Sequence, residues 1–356
     1  MHSGKPTAPP AALVKQLRDM SNAPMIECRK ALQEVLATST SGVGDRELLQ
    51  LSHEYLRKNS INGASSKALH ATADGVVVCA IDSSRHRGIL VEVNCETDFV
   101  SKNELFLQFT LDVTTSLLYH YTKLVTAYST LQTSTNSHTI AKFQDIIDKD
   151  DDFKYIRDKL VELISQIREN IRVGDVSFVN VGSVDGATST ISEQGMVCGY
   201  MHNEIPLSLS LAESCNTHNN DISFLKVGKT ASLVAVSGAG DNAGTSNDKL
   251  GHFGKQVSMQ IVAGNPLYLR KELIPRQVLD HEISILSHTL PPNTKPEINK
   301  KILQGKLEKF YQSVVLVNQP FLITNDNTRI TVEQLLETIH PNASILQFAM
   351  LPNRVE

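Results

Sequence analysis

Residues 93–106 read VNCETDFVSKNELF, and this stretch changes from one kind of structure to another within a few positions. The apolar run 89–93 before it is typical of a buried strand, and a helical pattern begins at about Ser101. Thr97-Asp98-Phe99-Val100 lies at the junction and places an acid beside a large aromatic residue. The stretch therefore predicts a strand, an unusual turn and a helix in immediate succession.

The residues alone leave two interpretations of that turn open. Ser101 and Glu104 have the spacing of a capping box, which would start the helix there and leave Asp98 and Phe99 in the turn before it. Alternatively, Phe99 is a core residue and Asp98 is the helix cap. Sequence periodicity does not decide between them.

The flanking sequence predicts an α+β protein with antiparallel strands. DGVVVCAID and RGILVEVN form an expected β-hairpin before the turn, and Leu105, Phe106, Phe109, Val113 and Leu117 mark one face of the helix after it. Four more strands are expected, with the sequences VSFVNV, MVCGYMHN, PLSLSLAE and ASLVAVS. Because a strand-rich region occurs twice, around 75–112 and 176–263, an internal duplication of the core is expected.

Helical patterns account for most of the remaining chain. Residues 11–62 contain three short helices, in which Leu13, Val14, Leu17, Ile26, Leu32 and Val35 are expected to point inward. A long amphipathic helix is expected from Phe153 to Ile171, and another from Val257 to Gly264. Three polar insertions, at 122–150, 213–221 and 237–250, are expected to be loops.

These patterns divide the chain into five segments. We expect an N-terminal three-helix (UBA-like) bundle at 11–62, a first core subdomain at 63–173 and a second at 174–271. A protruding helical hairpin is expected at 272–312, within the core. The end of the core and a short C-terminal helix follow, at 313–356.

Composition restricts the class of protein. The 356 residues carry a formal net charge of −4, which argues against a chain that mainly coats nucleic acid or anionic lipid. The five cysteines are scattered and odd in number, so a reducing compartment fits better than a disulfide framework. No apolar run approaches the roughly 18 residues that a bilayer requires. Residues 1–18 carry basic residues and no acid, as an organelle import segment would.

Motifs for catalysis are poorly supported. Residues 238–243 fit G-x-G-x-x-A, but no helical pattern begins there, so a loop is preferred over a dinucleotide site. Cys198-x3-His202 and Cys215-x2-His218 offer zinc-like ligands, but an expected strand separates them, and no metal site and no cofactor is predicted. The lysines between 295 and 309 alternate with Glu297 and Glu308, and a solvated helix face is preferred over an RNA contact.

Two stretches, LVKQLRDMSNAPMIECRKAL (13–32) and VEVNCETDFVSKNELFLQF (91–109), resemble the signatures of translation elongation factor Ts. The resemblance continues through IRENIRV (167–173), GYMHN (199–203), MQIVAGNPLYL (259–269), KILQGKLEKFYQSVVLVNQPFL (301–322) and TVEQLL (331–336). It covers most of the chain in the order of the family, whose members exchange guanine nucleotide on elongation factor Tu.

The resemblance implies a function and a set of contacts. Thr97, Asp98, Phe99 and Val100 would form a wedge that enters the GTPase domain of elongation factor Tu beside its Mg²⁺ and phosphates. The N-terminal module would dock on the same domain, with candidates at Leu13, Arg18, Met25 and Ile26. For Leu13 and Ile26, the core of the bundle is an equally open alternative. The C-terminal module would touch the partner around Leu335 and Leu336.

The expected partner is thus elongation factor Tu, in its GDP-bound and nucleotide-free forms, with no membrane and no direct nucleic-acid contact. The alternatives are an RNA-binding accessory protein of organellar translation and a dinucleotide-binding enzyme. Asn22-Ala23-Pro24 and Gln260 depart from the family pattern, Gln260 standing where bacterial members often have a partner-contacting His. With the long insertions, these departures favour the mitochondrial matrix over the bacterial cytoplasm.

Overall fold

The structure is a computed structural model that describes residues 9–21, 23–38, 43–67, 72–128, 138–140, 143–183, 190–191, 195–208, 211, 222–238, 244–291, 295–323, 330–339 and 343–352. Within these ranges the helices are α1 (Ala11–Ser21), α2 (Met25–Thr38), α3 (Asp45–Lys67), α4 (Glu104–Tyr119), α5 (Tyr121–Tyr128), α6 (Gln144–Lys149), α7 (Lys154–Ile167), α8 (Gly244–Gly264), α9 (Arg276–His288), α10 (Pro296–Val314) and α11 (Val332–Ile339). The strands are β1 (Asp74–Asp82), β2 (Arg87–Cys95), β3 (His138–Ile140), β4 (Ile171–Asn180), β5 (Gly182–Ser183), β6 (Thr190–Ile191), β7 (Gly195–His202), β8 (Ile222–Gly228), β9 (Thr230–Ser237) and β10 (Ser344–Pro352).

The first three helices pack around a hydrophobic core of their own. Leu13, Val14 and Leu17 of α1 are buried there, as expected, and α2 contributes Cys28, Ala31, Leu32 and Val35. The inward position predicted for Ile26 is wrong, since its side chain is 66% exposed. The buried face of α2 repeats at positions 28, 31, 32 and 35, and residue 26 lies on a different side of that helix.

The centre of the molecule is a five-stranded antiparallel sheet in the order β3-β4-β2-β1-β8. The expected hairpin is confirmed as β1 and β2, with Val78 opposite Val91. Alternate residues of β1 point to opposite faces: Val76 and Val78 contact the α4, α5 and α7 side, whereas Val77 and Cys79 face a second sheet. The five-stranded sheet is therefore buried on both faces.

The second sheet has the order β10-β9-β7 and is also antiparallel. Leu233 and Ala235 of β9 pack against the first sheet, while Val234 and Val236 face α8. The core is thus a stack of four layers, with helices outside, two sheets inside and a hydrophobic cluster between each pair of layers. This arrangement confirms the predicted α+β class.

The hairpin expected at 272–312 is formed by α9 and α10, which contact each other. Both helices are described in full, and none of their residues is buried. Their facing apolar residues, including Leu279 and Phe310, are only partly covered by the rest of the chain. The hairpin therefore protrudes from the layered core.

The loop predicted for 122–150 is wrong over its described residues. Tyr121, Leu124 and Val125 are buried because α5 lays them against the first sheet, and Phe143 and Ile147 are buried at α6. Between these helices, β3 pairs with β4 and becomes the edge of the sheet. The apolar residues of this insertion recur at helical spacing, a signal that its polar residues obscured.

Two other boundaries differ from the prediction. The helix predicted to reach Ile171 ends at Ile167, because Arg168 adopts a left-handed conformation with φ of 66° and Ile171 begins β4. The strand predicted at PLSLSLAE (206–213) is absent at its described residues, 206–208 and 211. Pro206 has no N–H to continue a ladder, although the Ile205 N–H before it donates to the Val227 carbonyl at 2.8 Å.

The predicted boundary between residues 173 and 174 falls inside β4, which belongs to the first sheet. Strand β8, from the later segment, joins the same sheet beside β1. The two halves of the core are therefore interleaved in space rather than following one another along the chain.

Candidate partner-binding site

The turn at residues 97–100 joins β2 to α4 and presents a large aromatic side chain to solvent. Phe99 is 82% exposed, and Asp98 beside it is also exposed. Apolar side chains of this size gain free energy when they leave water, so an exposed phenyl ring on an ordered turn is suited to entering another protein. The structure thus excludes the alternative in which Phe99 is a core residue.

The other two residues of the turn hold it in place. Val100 is buried in the core beneath α4, and Thr97 is held by Glu169, whose carboxylate accepts from the Thr97 N–H at 3.1 Å and its hydroxyl at 2.8 Å. The fully buried Ser101 hydroxyl donates to the Asp98 carbonyl at 3.0 Å. Asp98 and Phe99 are therefore displayed, while their neighbours anchor them.

The capping box predicted from Ser101 and Glu104 is wrong. The N-cap of α4 is Asn103, whose side-chain oxygen accepts from the N–H groups of Leu105 and Phe106 at 2.9 Å and 3.4 Å. Ser101 lies within a 3-10 turn at Val100–Lys102 that precedes the helix. Because Asn103 satisfies the end of the helix, Asp98 is not needed as a cap.

The turn has an ion pair on its surface and an uncharged thiol beneath it. The Asp98 carboxylate accepts from the Lys102 ammonium at 3.1 Å, and both side chains are more than half exposed, so this pair contributes little to stability. Beneath the turn, burial raises the pKa of the Cys95 thiol to about 12, and the thiol donates to the Thr97 carbonyl at 3.2 Å. Cys95 is thus un-ionised at neutral pH.

The four candidates in the N-terminal module lie in different environments. Leu13 is 5% exposed and belongs to the bundle core. Met25 and Ile26 are 47% and 66% exposed, and Arg18 is exposed on α1. The surface of the bundle therefore offers Arg18, Met25 and Ile26 to a partner.

A direct contact ties this surface to the turn. Glu27 follows Met25 and Ile26 in the first turn of α2, and its carboxylate accepts from the Arg168 guanidinium at 2.5 Å. The next residue, Glu169, is the one that holds Thr97. The bundle and the turn are thus linked through two consecutive residues, a contact that sequence reasoning missed although it singled out residues 167–173.

The C-terminal candidates lie against the second helical layer. Leu336 is buried and Leu335 is partly buried, both packed in the cluster between the second sheet and the helices that cover it. Gln260 is 1% exposed, and its amide donates to the Gln319 side chain at 3.1 Å and accepts from the Leu322 N–H at 2.9 Å. Gln260 is therefore engaged within its own chain.

The motifs for other chemistry do not assemble a site in the described residues. Helix α8 begins at Gly244, directly after the glycine-rich stretch, so the expectation that no helix starts there is wrong. Residues 239–243 lie outside the described part of the chain. In the described part of the chain, every pairing between the strands is antiparallel, whereas a dinucleotide fold needs parallel strands.

The zinc motif gains no support from the described residues. Cys198 is buried under α8 and His202 is exposed at the end of β7, while Cys215 and His218 lie outside the described part of the chain. The described residues contain no group of three or more His, Cys, Asp or Glu side chains that could hold a metal ion. None of the described helices is long and apolar enough to cross a membrane.

Comparison with known proteins identifies the family. The sequence model described as Elongation factor TS matches residues 96–352, a span that begins at the turn. The chain is 30% identical over 328 residues to elongation factor Ts of Mesorhizobium japonicum, covering 92% of this chain and 85% of that protein. It belongs to the elongation factor Ts family.

Other elongation factors Ts show the same extent of similarity. That of Ehrlichia ruminantium is 28% identical over 91% of this chain and 90% of its own length. The elongation factor Ts of Paramagnetospirillum magneticum is 28% identical, over 92% of this chain and 85% of its own length. Membership makes this chain a translation elongation factor rather than an enzyme, and implies elongation factor Tu as its partner.

Proposed function

We propose that this protein binds elongation factor Tu carrying GDP and accelerates release of the nucleotide. The observation that carries the proposal is Phe99, 82% exposed on a turn whose neighbouring residues are anchored in the core. The partner is inferred from the membership of this chain in the elongation factor Ts family. Exchange of this kind makes and breaks no covalent bond, which agrees with the poor support for catalytic motifs.

The proposed mechanism is a wedge. Burying the Phe99 ring in the partner yields about 1.5–3 kcal/mol, which is available to displace side chains near the bound nucleotide. Mg²⁺ requires near-ideal octahedral coordination, so small displacements of its ligands in the partner weaken it. Asp98 can accept hydrogen bonds from groups that the ring displaces. Loss of the metal then loosens GDP.

The same mechanism explains how the complex comes apart. If this protein weakens GDP binding by some factor, GDP weakens the binding of this protein by the same factor. Incoming GTP, which also needs the intact site, releases the factor in the same way. The cycle therefore needs no energy source besides nucleotide binding.

Two further surfaces support docking in this proposal. Arg18, Met25 and Ile26 form the exposed part of the N-terminal candidate set, and Leu13 is left out because it lies in the bundle core. At the C-terminal module, Leu335 is the more accessible of the two candidates, since Leu336 is buried.

Stopped-flow release of a fluorescent GDP from the cognate elongation factor Tu tests the proposal. We expect the release rate to rise with the concentration of this protein and then to saturate. A stable complex that leaves the release rate unchanged would contradict the exchange function and would direct attention to the exposed lysines of α10.

We also infer a mitochondrial location, supported by the long polar insertions, although the relatives named above are bacterial. Imaging of the tagged protein in its own cells tests this, and a signal outside mitochondria would contradict it.

A further inference from the structure

The connection between α7 and β4 lies against the turn that carries Asp98 and Phe99. Helix α7 ends with the Arg168 N–H donating to the Ile164 carbonyl at 2.8 Å, and Arg168 itself adopts the left-handed conformation. This conformation is uncommon for a residue with a side chain. It reverses the chain, so that residues 169 and 170 run beside residues 96 and 97.

Side chains extend the pairing of β2 and β4 beyond its last backbone pair, which joins Cys95 and Ile171. The Asn170 N–H donates to the Glu96 carboxylate at 2.6 Å. One residue further, both oxygens of Glu169 accept from Thr97. The first half of the turn is thus fixed by carboxylates rather than by strand hydrogen bonds.

Arg168 connects this arrangement to the N-terminal bundle. Its guanidinium donates to Glu27, and both side chains are 40% or more exposed, so the pair adds little stability of its own. The contact places the start of α2 beside Arg168, next to Glu169.

We propose that Glu169 is the positioning residue of the exchange turn, holding Thr97 so that Asp98 and Phe99 are presented in a fixed geometry. The inference rests on the proposed exchange function. A turn that is ordered before it meets the partner avoids the entropy cost of ordering it during nucleotide release. Glu169 therefore acts through Thr97 and not by touching the nucleotide or its metal.

The first test is the maximal rate of GDP release at saturating protein. We expect Glu169→Ala to lower it by about fivefold to tenfold, as expected for two lost hydrogen bonds, with little change in the concentration for half-maximal rate. Glu169→Gln should retain most of the rate, because its amide oxygen accepts from the Thr97 N–H and its NH₂ donates to the hydroxyl. The matched control is Glu162→Ala, which removes an exposed carboxylate from α7 and should leave the release rate at the wild-type value.

A second readout needs no partner. Cys95 is fully buried beneath the turn and bonded to the Thr97 carbonyl, whereas the equally buried Cys79 lies between the two sheets. We expect Glu169→Ala to speed iodoacetamide labelling of Cys95 severalfold, measured by peptide mass spectrometry, and to leave Cys79 unchanged. Equal acceleration at both cysteines would indicate general unfolding and would overturn the inference.

A third comparison separates this inference from the exchange function itself. In protein already carrying Asp98→Ala and Phe99→Ala, the additional Glu169→Ala should not slow release further, since the presented side chains are gone. If Glu169→Ala slowed GDP release by the same factor in that double variant as in wild type, the positioning role would be overturned. It would also be overturned if the Glu169→Ala protein released GDP at the wild-type rate. In that case the exchange function would still stand, provided that the Asp98→Ala, Phe99→Ala variant remained slow.

Discussion

At the residue scale, two residues of the turn are exposed and the two beside them are anchored. Asp98 and Phe99 face solvent, whereas Thr97 and Val100 are held by Glu169 and by the core. The sequence placed an acid and an aromatic residue at a strand–helix junction, but it left open whether the ring was inside or outside. Exposure depends on contacts with residues some 70 positions away, such as Glu169, and local periodicity contains no information about them.

The helix cap is a second case in which local sequence was ambiguous. Ser101 and Asn103 both precede an apolar helical pattern, and both residue types are good N-caps. The 3-10 turn at Val100–Lys102 moves the start of α4 to Glu104 and gives the cap to Asn103. The helix was therefore predictable, but the identity of its cap was not.

Replacing this cap gives a residue-scale prediction. Asn103→Ala removes the acceptor for the Leu105 and Phe106 N–H groups and should lower the free energy of unfolding by about 1 kcal/mol. Asn103→Asp retains an acceptor and should stay close to wild type. Urea denaturation followed by circular dichroism measures both, and an Asn103→Ala variant as stable as wild type would contradict the assignment.

At the element scale, helix α8 shows how packing overrides local preference. Its first half is rich in glycine and polar residues, and the sequence predicted a loop there and a helix only from Val257. Leu250, Phe253, Val257 and Ile261 are nevertheless buried in one line against the outer face of the second sheet. Burial of these side chains, rather than helix propensity, accounts for the full length of α8.

Five strands in the described part of the chain were also missed: the short pair β5 and β6, and three longer or edge strands for a related reason. Strands β3, β8 and β10 each lie at an edge of a sheet, and two of them adjoin polar insertions. The central strands were predicted because both of their faces are buried and their sequences are nearly all apolar. These three edge strands carry a weaker signal, and their pairing partners are distant in sequence. The edge strand β7 was predicted because most of its residues are apolar and buried.

Two glycines in helices provide a matched element-scale prediction. A Cβ at Gly254 of α8 would lie 2.5 Å from the Cys198 sulfur, whereas a Cβ at Gly305 of α10 would meet nothing within 4 Å. Gly254→Ala should therefore destabilise the protein by about 1–3 kcal/mol through overpacking. Gly305→Ala should stabilise it by up to about 1 kcal/mol, because alanine favours the helix.

Urea midpoints of the two variants test the close approach of α8 to β7. Equal effects in both would contradict it, since helix propensity alone treats the two positions alike.

At the scale of the whole molecule, the layered core gives the turn a rigid base. The strands that flank it, β2 and β4, are central members of a sheet covered on both faces. Its lower side rests on the core under α4, and Glu27 and Arg168 connect it to the N-terminal bundle. The family and the α+β class were predictable from sequence, whereas the interleaving of the two sheets and the link to the bundle were not, because both depend on distant contacts.

In the proposed function, the exposed pair Asp98 and Phe99 drives nucleotide release. The measurement that tests it most directly is the rate of fluorescent GDP release from elongation factor Tu at saturating protein, compared between wild type and the Asp98→Ala, Phe99→Ala variant. Tyr119→Ala is the matched control, since Tyr119 is 81% exposed, close to the 82% of Phe99, but lies at the other end of α4.

We predict that the double variant folds normally and that GDP release in its presence is more than about tenfold slower than with wild type. This corresponds to about 1.4 kcal/mol of lost transition-state stabilisation. With Tyr119→Ala, GDP release should proceed at the wild-type rate. Release at the wild-type rate by the double variant would contradict the account.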